Sequence, residues 1–363
     1  MNPRNSTQRI GIVLFNLGGP DRPEAVLPFL RNLFRDPAIL RVPGLVRVLL
    51  AEAIARRRAP VAREIYSRIG GRSPIVPETE AQARALEAAV QHIVPNSEVK
   101  AFVVMRYWHP RAGDVAAAVQ AFKPDRVVLL PLYPQFSTTT TESSLAEWQR
   151  MAVTAKTVAL VARTSIIGCY GAEAWFVKAY ADVIRPVLEQ ARAKGNPRVL
   201  FSAHGLPQRI ADAGDPYLLH TQQTAAAVAA EIGLVAANWR LCYQSRVGRL
   251  AWIGPSTEEE VHRAGADRVP VVVTPISFVS EHSETLVELD IELREAALRA
   301  GVPAYFRAPA VGTNAAFIDG LATLVQRSLS GALGACPLHA GRRCPRGLCV
   351  ATNTRGFKVP ARA

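Results

Sequence analysis

Eight short apolar runs, separated by longer amphipathic segments, set the first limit on what this chain can fold into. They occupy residues 10–17, 99–107, 126–133, 158–167, 199–203, 239–244, 269–278 and 304–308. Rich in Val, Ile and Leu and nearly continuous in apolar character, they have the pattern of strands buried on both faces of a parallel sheet. Helical periodicity fills the gaps at 78–94, 172–194, 220–232 and 283–300. Strand alternating with helix builds βαβ units. A chain of 363 residues has room for two domains, and eight strands divide evenly into two sets of four. The expected architecture is α/β: two doubly wound, Rossmann-like parallel-sheet domains, residues 1–170 and 171–330, with a cleft between them. The helical segment 315–329 either closes the second domain or crosses back to the first. Periodicity ends there, and residues 331–363 form a tail rich in Gly, Cys, Pro and Arg.

The residues that break these patterns cluster just after the strands. They include Asn16 to Pro20, Arg106 to Pro110, Tyr133 to Thr140, Ser202 to Pro207, Tyr243 to Arg246 and Ser277 to Glu284. Ligands of open α/β sheets sit at the carboxyl ends of the strands. Three such segments from each half would line one cleft.

Two residues there suit proton chemistry. His204 ends a strand between small residues, and a neutral imidazole accepts a proton near neutral pH. The alternative is a histidine held for structural reasons. Glu281, Glu284 and Glu288 are spaced i, i+3, i+7 at the start of a helix, which predicts one carboxylate face for protons or a divalent cation. The alternative is a solvated acidic face. The hydroxyl run from Ser137 to Thr141 either binds ligand carboxylates or caps a helix. Neither G-x-G-x-x-G nor Walker A spacing occurs, so a nucleotide site is poorly supported.

The formal net charge is +13, mostly Arg. Such a balance fits an anionic partner or the bias of a GC-rich genome. No nucleic-acid-binding module is legible, since aromatic residues do not interleave with basic ones. From Ala38 to Arg58, apolar residues alternate with arginines, which suits either an anionic membrane surface or an ordinary surface helix. No run is long enough to span a bilayer. With no signal segment, the expected location is the cytoplasm, with the inner-membrane surface as a site of peripheral contact.

Taken in order, these segments resemble the ferrochelatase family. The resemblance runs from Ile10 to about Leu329. It rests on Asn16 to Pro20, Tyr66 with Ile69 to Ile75, Arg106-Tyr107, Tyr133 to Gln135 with Ser137 and Thr139-Thr140, and Phe201 to Pro207. Gly214 to Tyr217, Gln244 to Gly248, Trp252 with Gly254-Pro255, and Glu281 to Asp290 complete the series. It implies two Rossmann-like domains around a porphyrin and a reaction that inserts Fe2+ into that porphyrin. His204 would take the pyrrole protons, with Glu284 beside it and Glu288 the next acid on a proton or metal path. His204 and Glu284 would also meet the substrate iron. Arg106 and Tyr107 would lie across the macrocycle, and Leu17, Arg58, Tyr66 and Ser73 around the porphyrin and its propionates. Tyr133, Thr139, Thr140 and Tyr243 are further binding candidates. Protoporphyrin IX is the expected substrate, with coproporphyrin the alternative. A non-enzymatic haem- or metal-binding protein is the more distant reading.

Five cysteines are too few for a disulfide scaffold, and Cys336, Cys344 and Cys349 crowd into the tail. Such clustering reads as metal binding in a reducing compartment. The resemblance implies a [2Fe–2S] cluster held by these three and one distant cysteine. In the animal enzymes that cysteine lies in the Tyr-Pro-Gln-Phe-Ser motif, but here Thr138 stands at its place. Cys169 is the expected fourth ligand, while Cys242, inside an apolar run, reads as a small buried residue. A structural zinc on the three cysteines and His339 is the rival. Oligomeric state stays open, since the tail could meet another subunit.

Overall fold

The computed structural model describes residues 7–154, 164–246, 248 and 250–330. The eight expected strands form two four-stranded sheets. The first holds β1 (Gln8–Asn16), β2 (Ser97–Met105), β3 (Arg126–Pro131) and β4 (Thr164–Ile166) in the order β2-β1-β3-β4. The second holds β5 (Arg198–His204), β6 (Trp239–Gln244), β7 (Val271–Pro275) and β8 (Tyr305–Arg307) in the order β6-β5-β7-β8. Every pairing is parallel, and the two halves share one topology. Burial explains the lack of alternation in the runs: residues Ile10 to Asn16 and Val271 to Pro275 are covered on both faces.

Eleven α-helices accompany the sheets among the described residues. They are α1 (Val26–Phe34), α2 (Gly44–Ser67), α3 (Ile75–Ile93), α4 (Ala112–Phe122), α5 (Ser143–Thr154), α6 (Ala174–Arg192), α7 (Gln208–Asp212), α8 (Tyr217–Glu231), α9 (Thr257–Ala266), α10 (Leu293–Arg299) and α11 (Ala315–Leu329). The outer face of the first sheet packs on α4 and α5 around Phe15 and Trp148. The outer face of the second packs on α9 and α10 around Leu200, Val261 and Leu293. The largest core lies between the sheets and draws on both, from Ile12 and Leu130 to Phe201 and Val272.

Helix α11 crosses back: it packs on α3 and α6 and against β3 and β4. Buried side chains stitch the halves together. The Gln82 amide donates to the carbonyls of Val279 (2.7 Å) and Gly312 (3.0 Å). The Gln135 amide donates to Ile276 O (3.1 Å). The Asp215 carboxylate accepts from the Ser137 and Thr138 hydroxyls at 2.9 and 2.7 Å.

Helix α2 begins later than the Ala38–Arg58 pattern predicts. Pro43 stands at its N-cap, and the residues before it turn on Asp36. It also runs on through Pro60 to Ser67. A row of large apolar side chains is exposed on it: Leu45 (85 %), Leu49 (74 %), Val46 and Val48. No helix among the described residues is long and apolar enough to cross a membrane.

Candidate active site

His204 is the last residue of β5, the strand flanked on both sides by ladders. Its amide donates to Ser277 Oγ (3.0 Å) and its carbonyl accepts from the Tyr217 hydroxyl (3.1 Å), so its backbone is fixed. The side chain is partly open, with 45 % of its surface exposed. Phe278 meets it edge-on, with centroids 6.2 Å apart.

Residues Glu284–Glu292 follow β7 as a π-helix, whose i→i+5 bonds are rare and found often at functional sites. Glu284 Oε2 lies 2.8 Å from His204 Nδ1 and 3.8 Å from His282 Nε2. One turn on, Glu288 accepts from the Ser245 amide (2.6 Å) and hydroxyl (2.6 Å). The same hydroxyl lies 3.2 Å from Glu284 Oε2, between the two carboxylates. Ser245 holds this position with φ at +60°, a left-handed conformation a non-glycine residue adopts at a cost. Gly205 makes room for that turn, because a Cβ there would stand 2.7 Å from Gln244 O.

The single carboxylate face predicted for Glu281, Glu284 and Glu288 is not observed. Glu281 lies before the helix, and its carboxylate turns away to Arg307 (2.9 Å), the Ala310 amide (3.0 Å) and the Thr285 hydroxyl. An i, i+3, i+7 spacing shares a face only along an unbroken α-helix, and here the first residue lies outside a helix of wider turn.

The three titratable groups divide their proton affinities. Burial pushes the His204 pKa down, but the charges of Glu284 and Glu288 outweigh it and hold it above the ordinary histidine value of 6.5. Burial would raise Glu284, yet His204 and His282 keep it well below the usual carboxylate range. Burial and the neighbouring Glu284 charge raise Glu288, against the opposing bonds from Ser245. One charged carboxylate thus supports the imidazole while the next favours its protonated form.

The other candidates fall into distinct places. The Tyr66 hydroxyl, which burial pushes up to about 12, lies 3.4 Å from Ser283 Oγ, one residue before Glu284. Leu17, Tyr133, Thr139 and Thr140 are half-buried, and Arg58 is exposed. The Tyr133 hydroxyl is 3.4 Å from Ser144 Oγ. Ser137 caps its helical turn by accepting from the Thr139 amide, so capping accounts for the start of the hydroxyl run. Ser73 is buried beneath Gly19. Tyr243 is only 1 % exposed, and its hydroxyl meets Thr221 (3.1 Å).

Arg106 and Tyr107 lie behind the strand end in a buried network. Arg106 donates to Asp36 (2.7 Å), Glu147 (3.0 Å) and Ser143 (2.9 Å), and the Tyr107 hydroxyl donates to Asp36 (2.7 Å). Sequence reasoning missed Asp36, and it placed Gln244 and Ser245 in a cleft-lining segment without giving either a role. A Ser-Arg after a strand marks the cleft only in general, and nothing periodic flags Asp36.

Cys169 is buried. Cys242 is fully buried, its thiol pushed up to about 12 by burial, as a small core residue would be. Cys336, His339, Cys344 and Cys349 lie outside the described residues. No group of three or more His, Cys, Asp or Glu placed to hold a metal occurs among the described residues.

A family model for ferrochelatase matches residues 9–329. The chain belongs to the ferrochelatase family. It is 52 % identical to the ferrochelatase of Caulobacter vibrioides, over 93 % of this chain and 95 % of that protein. Identity to the Phenylobacterium zucineum ferrochelatase is 49 %, over 95 % and 98 % of the two chains. Family membership makes the chain an enzyme that inserts metal into a porphyrin. In fold it is similar to the sirohydrochlorin chelatase SirB of Bacillus subtilis subspecies spizizenii, solved with cobalt. The TM-score is 0.52 at 11 % identity, covering 90 % of this chain and 97 % of the other.

Proposed function

We propose that this ferrochelatase-family enzyme inserts Fe2+ into protoporphyrin IX and that His204 receives the displaced pyrrole protons. The observation that carries the reading is the 2.8 Å contact of His204 Nδ1, at the end of β5, with Glu284. With Nδ1–H donated to an ionised carboxylate, Nε2 keeps its lone pair for the substrate. Accepting a proton there makes an imidazolium, and the Glu284 charge stabilises it. Glu288, whose affinity for protons is raised, takes the proton onward across the Ser245 hydroxyl. The imidazole nitrogen and carboxylate oxygen are also donors that a ferrous ion accepts.

Leu17, Arg58, Tyr66, Tyr133, Thr139 and Thr140 surround the macrocycle and its propionates on this reading. Ser73, Arg106, Tyr107 and Tyr243 back that wall from beneath. The arginines and exposed leucines of α2 rest on an anionic membrane surface. The tail carries a [2Fe–2S] cluster on Cys169, Cys336, Cys344 and Cys349. Four thiolates are the donor set such a cluster takes. A bound cluster tethers the tail to residue 169, and no step of metallation runs through it.

The test follows porphyrin fluorescence during anaerobic addition of Fe2+, with protoporphyrin and coproporphyrin side by side. Faster loss with coproporphyrin would reassign the substrate. Iron and sulfide analysis of the purified protein tests the tail; a colourless protein with stoichiometric zinc would overturn the cluster.

A further inference from the structure

Asp36 makes more bonds than its place in a surface-leading turn requires. Its Oδ2 accepts from Arg106 (2.7 Å), the Tyr107 hydroxyl (2.7 Å) and the Ser143 hydroxyl (2.6 Å), while Oδ1 accepts from the Ala38 amide (2.8 Å). These four donors come from the end of β2, the start of α5 and the turn leading to α2. Glu147 completes the cluster by bonding Arg106 (3.0 Å) and Arg111 (2.7 Å), so two carboxylates face two guanidinium groups. A buried carboxylate with several charge-assisted bonds has one arrangement and resists displacement.

The turn it anchors belongs to the α1–α2 hairpin. Arg31 and Glu52 join the two helices at 2.6 and 2.7 Å. The hairpin's apolar side, with Phe29, Leu30, Ala55, Ala59 and Tyr66, packs on Tyr107 and Trp108. Its far end reaches the second half, where Tyr66 meets Ser283 (3.4 Å) and Arg68 meets Glu292 (3.8 Å). The hairpin is therefore held at the Asp36 end by a buried ionic cluster. Its other end touches the helix that carries Glu284.

We propose that Asp36 is a positioning residue: it seats the α1–α2 hairpin on the end of β2 and so sets the porphyrin wall of the cleft opposite His204. The proposal rests on the metallation reading above. Asp36 reaches the substrate through Arg106, Tyr107 and Tyr66 and does not touch it.

The test uses the full-length protein and its Asp36→Asn variant. Asparagine keeps the shape but brings an NH2 group among the four donors and removes one charge of the balanced set. The KM for porphyrin is expected to rise about tenfold or more, as a small misplacement of a positioning wall allows. The KM for Fe2+ should stay as in the parent, and kcat should fall less than the porphyrin KM rises. Limited trypsin digestion should cut faster after Arg41, Arg47 and Arg56. Ser143→Ala, which removes one bond to Asp36, should move the same readouts less far. An Asp36→Asn protein with lower Tm but unchanged porphyrin KM and trypsin pattern overturns the proposal. If that variant does not fold, an unchanged KM and digestion pattern in Ser143→Ala overturns it. Failure of the parent to metallate any porphyrin would sink the functional reading instead, and the digestion pattern would still test the hairpin's seat.

Discussion

The two halves share one strand order and use their strand ends in opposite ways. In the first, the groups after β2 close on themselves. Arg106, Arg111, Asp36 and Glu147 balance charge for charge, and the Arg106 guanidinium bonds three side chains. In the second, the groups after β5, β6 and β7 stay open. His204 is half accessible, Glu284 is charged beside it, and Glu288 holds its proton more tightly than usual. A satisfied network makes a wall, and an unbalanced one makes a reagent. The fold supplies both positions, and the chemistry depends on which donors and acceptors are left without an internal partner.

The comparison breaks most visibly on the open side. His204→Ala should cut kcat by about 10²–10⁴ with porphyrin binding retained, the usual share of a general base. Near-parent turnover in that variant would end the assignment. The closed side should fail in stability instead. Arg106→Ala leaves two buried carboxylates facing a single guanidinium and should cost about 3–5 kcal/mol in denaturant unfolding. A loss of less than about 1 kcal/mol would show that the network is not buried in solution.

Glu284→Gln sharpens the link between the two members of the dyad. Neutral His204 is the acceptor, and its folded pKa lies above 6.5. Hence kcat/KM should rise with pH through a midpoint above that value. Removing the Glu284 charge leaves burial as the main influence, so the midpoint should move down, alongside a rate loss of about tenfold or more. A midpoint that stays put would assign the titration to another group. The smallest effect belongs to the exposed face of α2. Leu45→Asp with Leu49→Asp should change turnover without lipid by no more than about twofold, as surface substitutions do. Cosedimentation with anionic vesicles should fall, and unchanged cosedimentation would remove α2 as a membrane contact.

Much of the fold was legible because buried parallel strands leave continuous apolar runs. Each of the eight runs contains a strand, though 158–163 lie outside the described residues and 269–278 overshot β7 by including the loop after Pro275. His204 and Glu284 were marked by position, one at a strand end and one at a helix start. What stayed hidden depends on contacts between distant residues. Asp36 meets Ser143 across 107 positions, and Gln82 meets Val279 across 197. No local period encodes such pairs. The direction of Glu281 was also illegible, because the change to π geometry has no pattern of its own in the sequence. The left-handed turn at Ser245 was equally silent, since serine gives no hint of positive φ.

The return of α11 to the first sheet bears on how the chain can be made. Synthesis delivers β1 to β4 first, yet α11, which packs against β3 and β4, is translated after the whole second sheet. N-terminal domains ordinarily fold as they emerge, but this one lacks part of its cover until residues 315–329 have left the ribosome. A nascent or truncated chain ending before Ala315 leaves α3, β3 and β4 without that cover. Such fragments are clients for chaperones rather than separable domains.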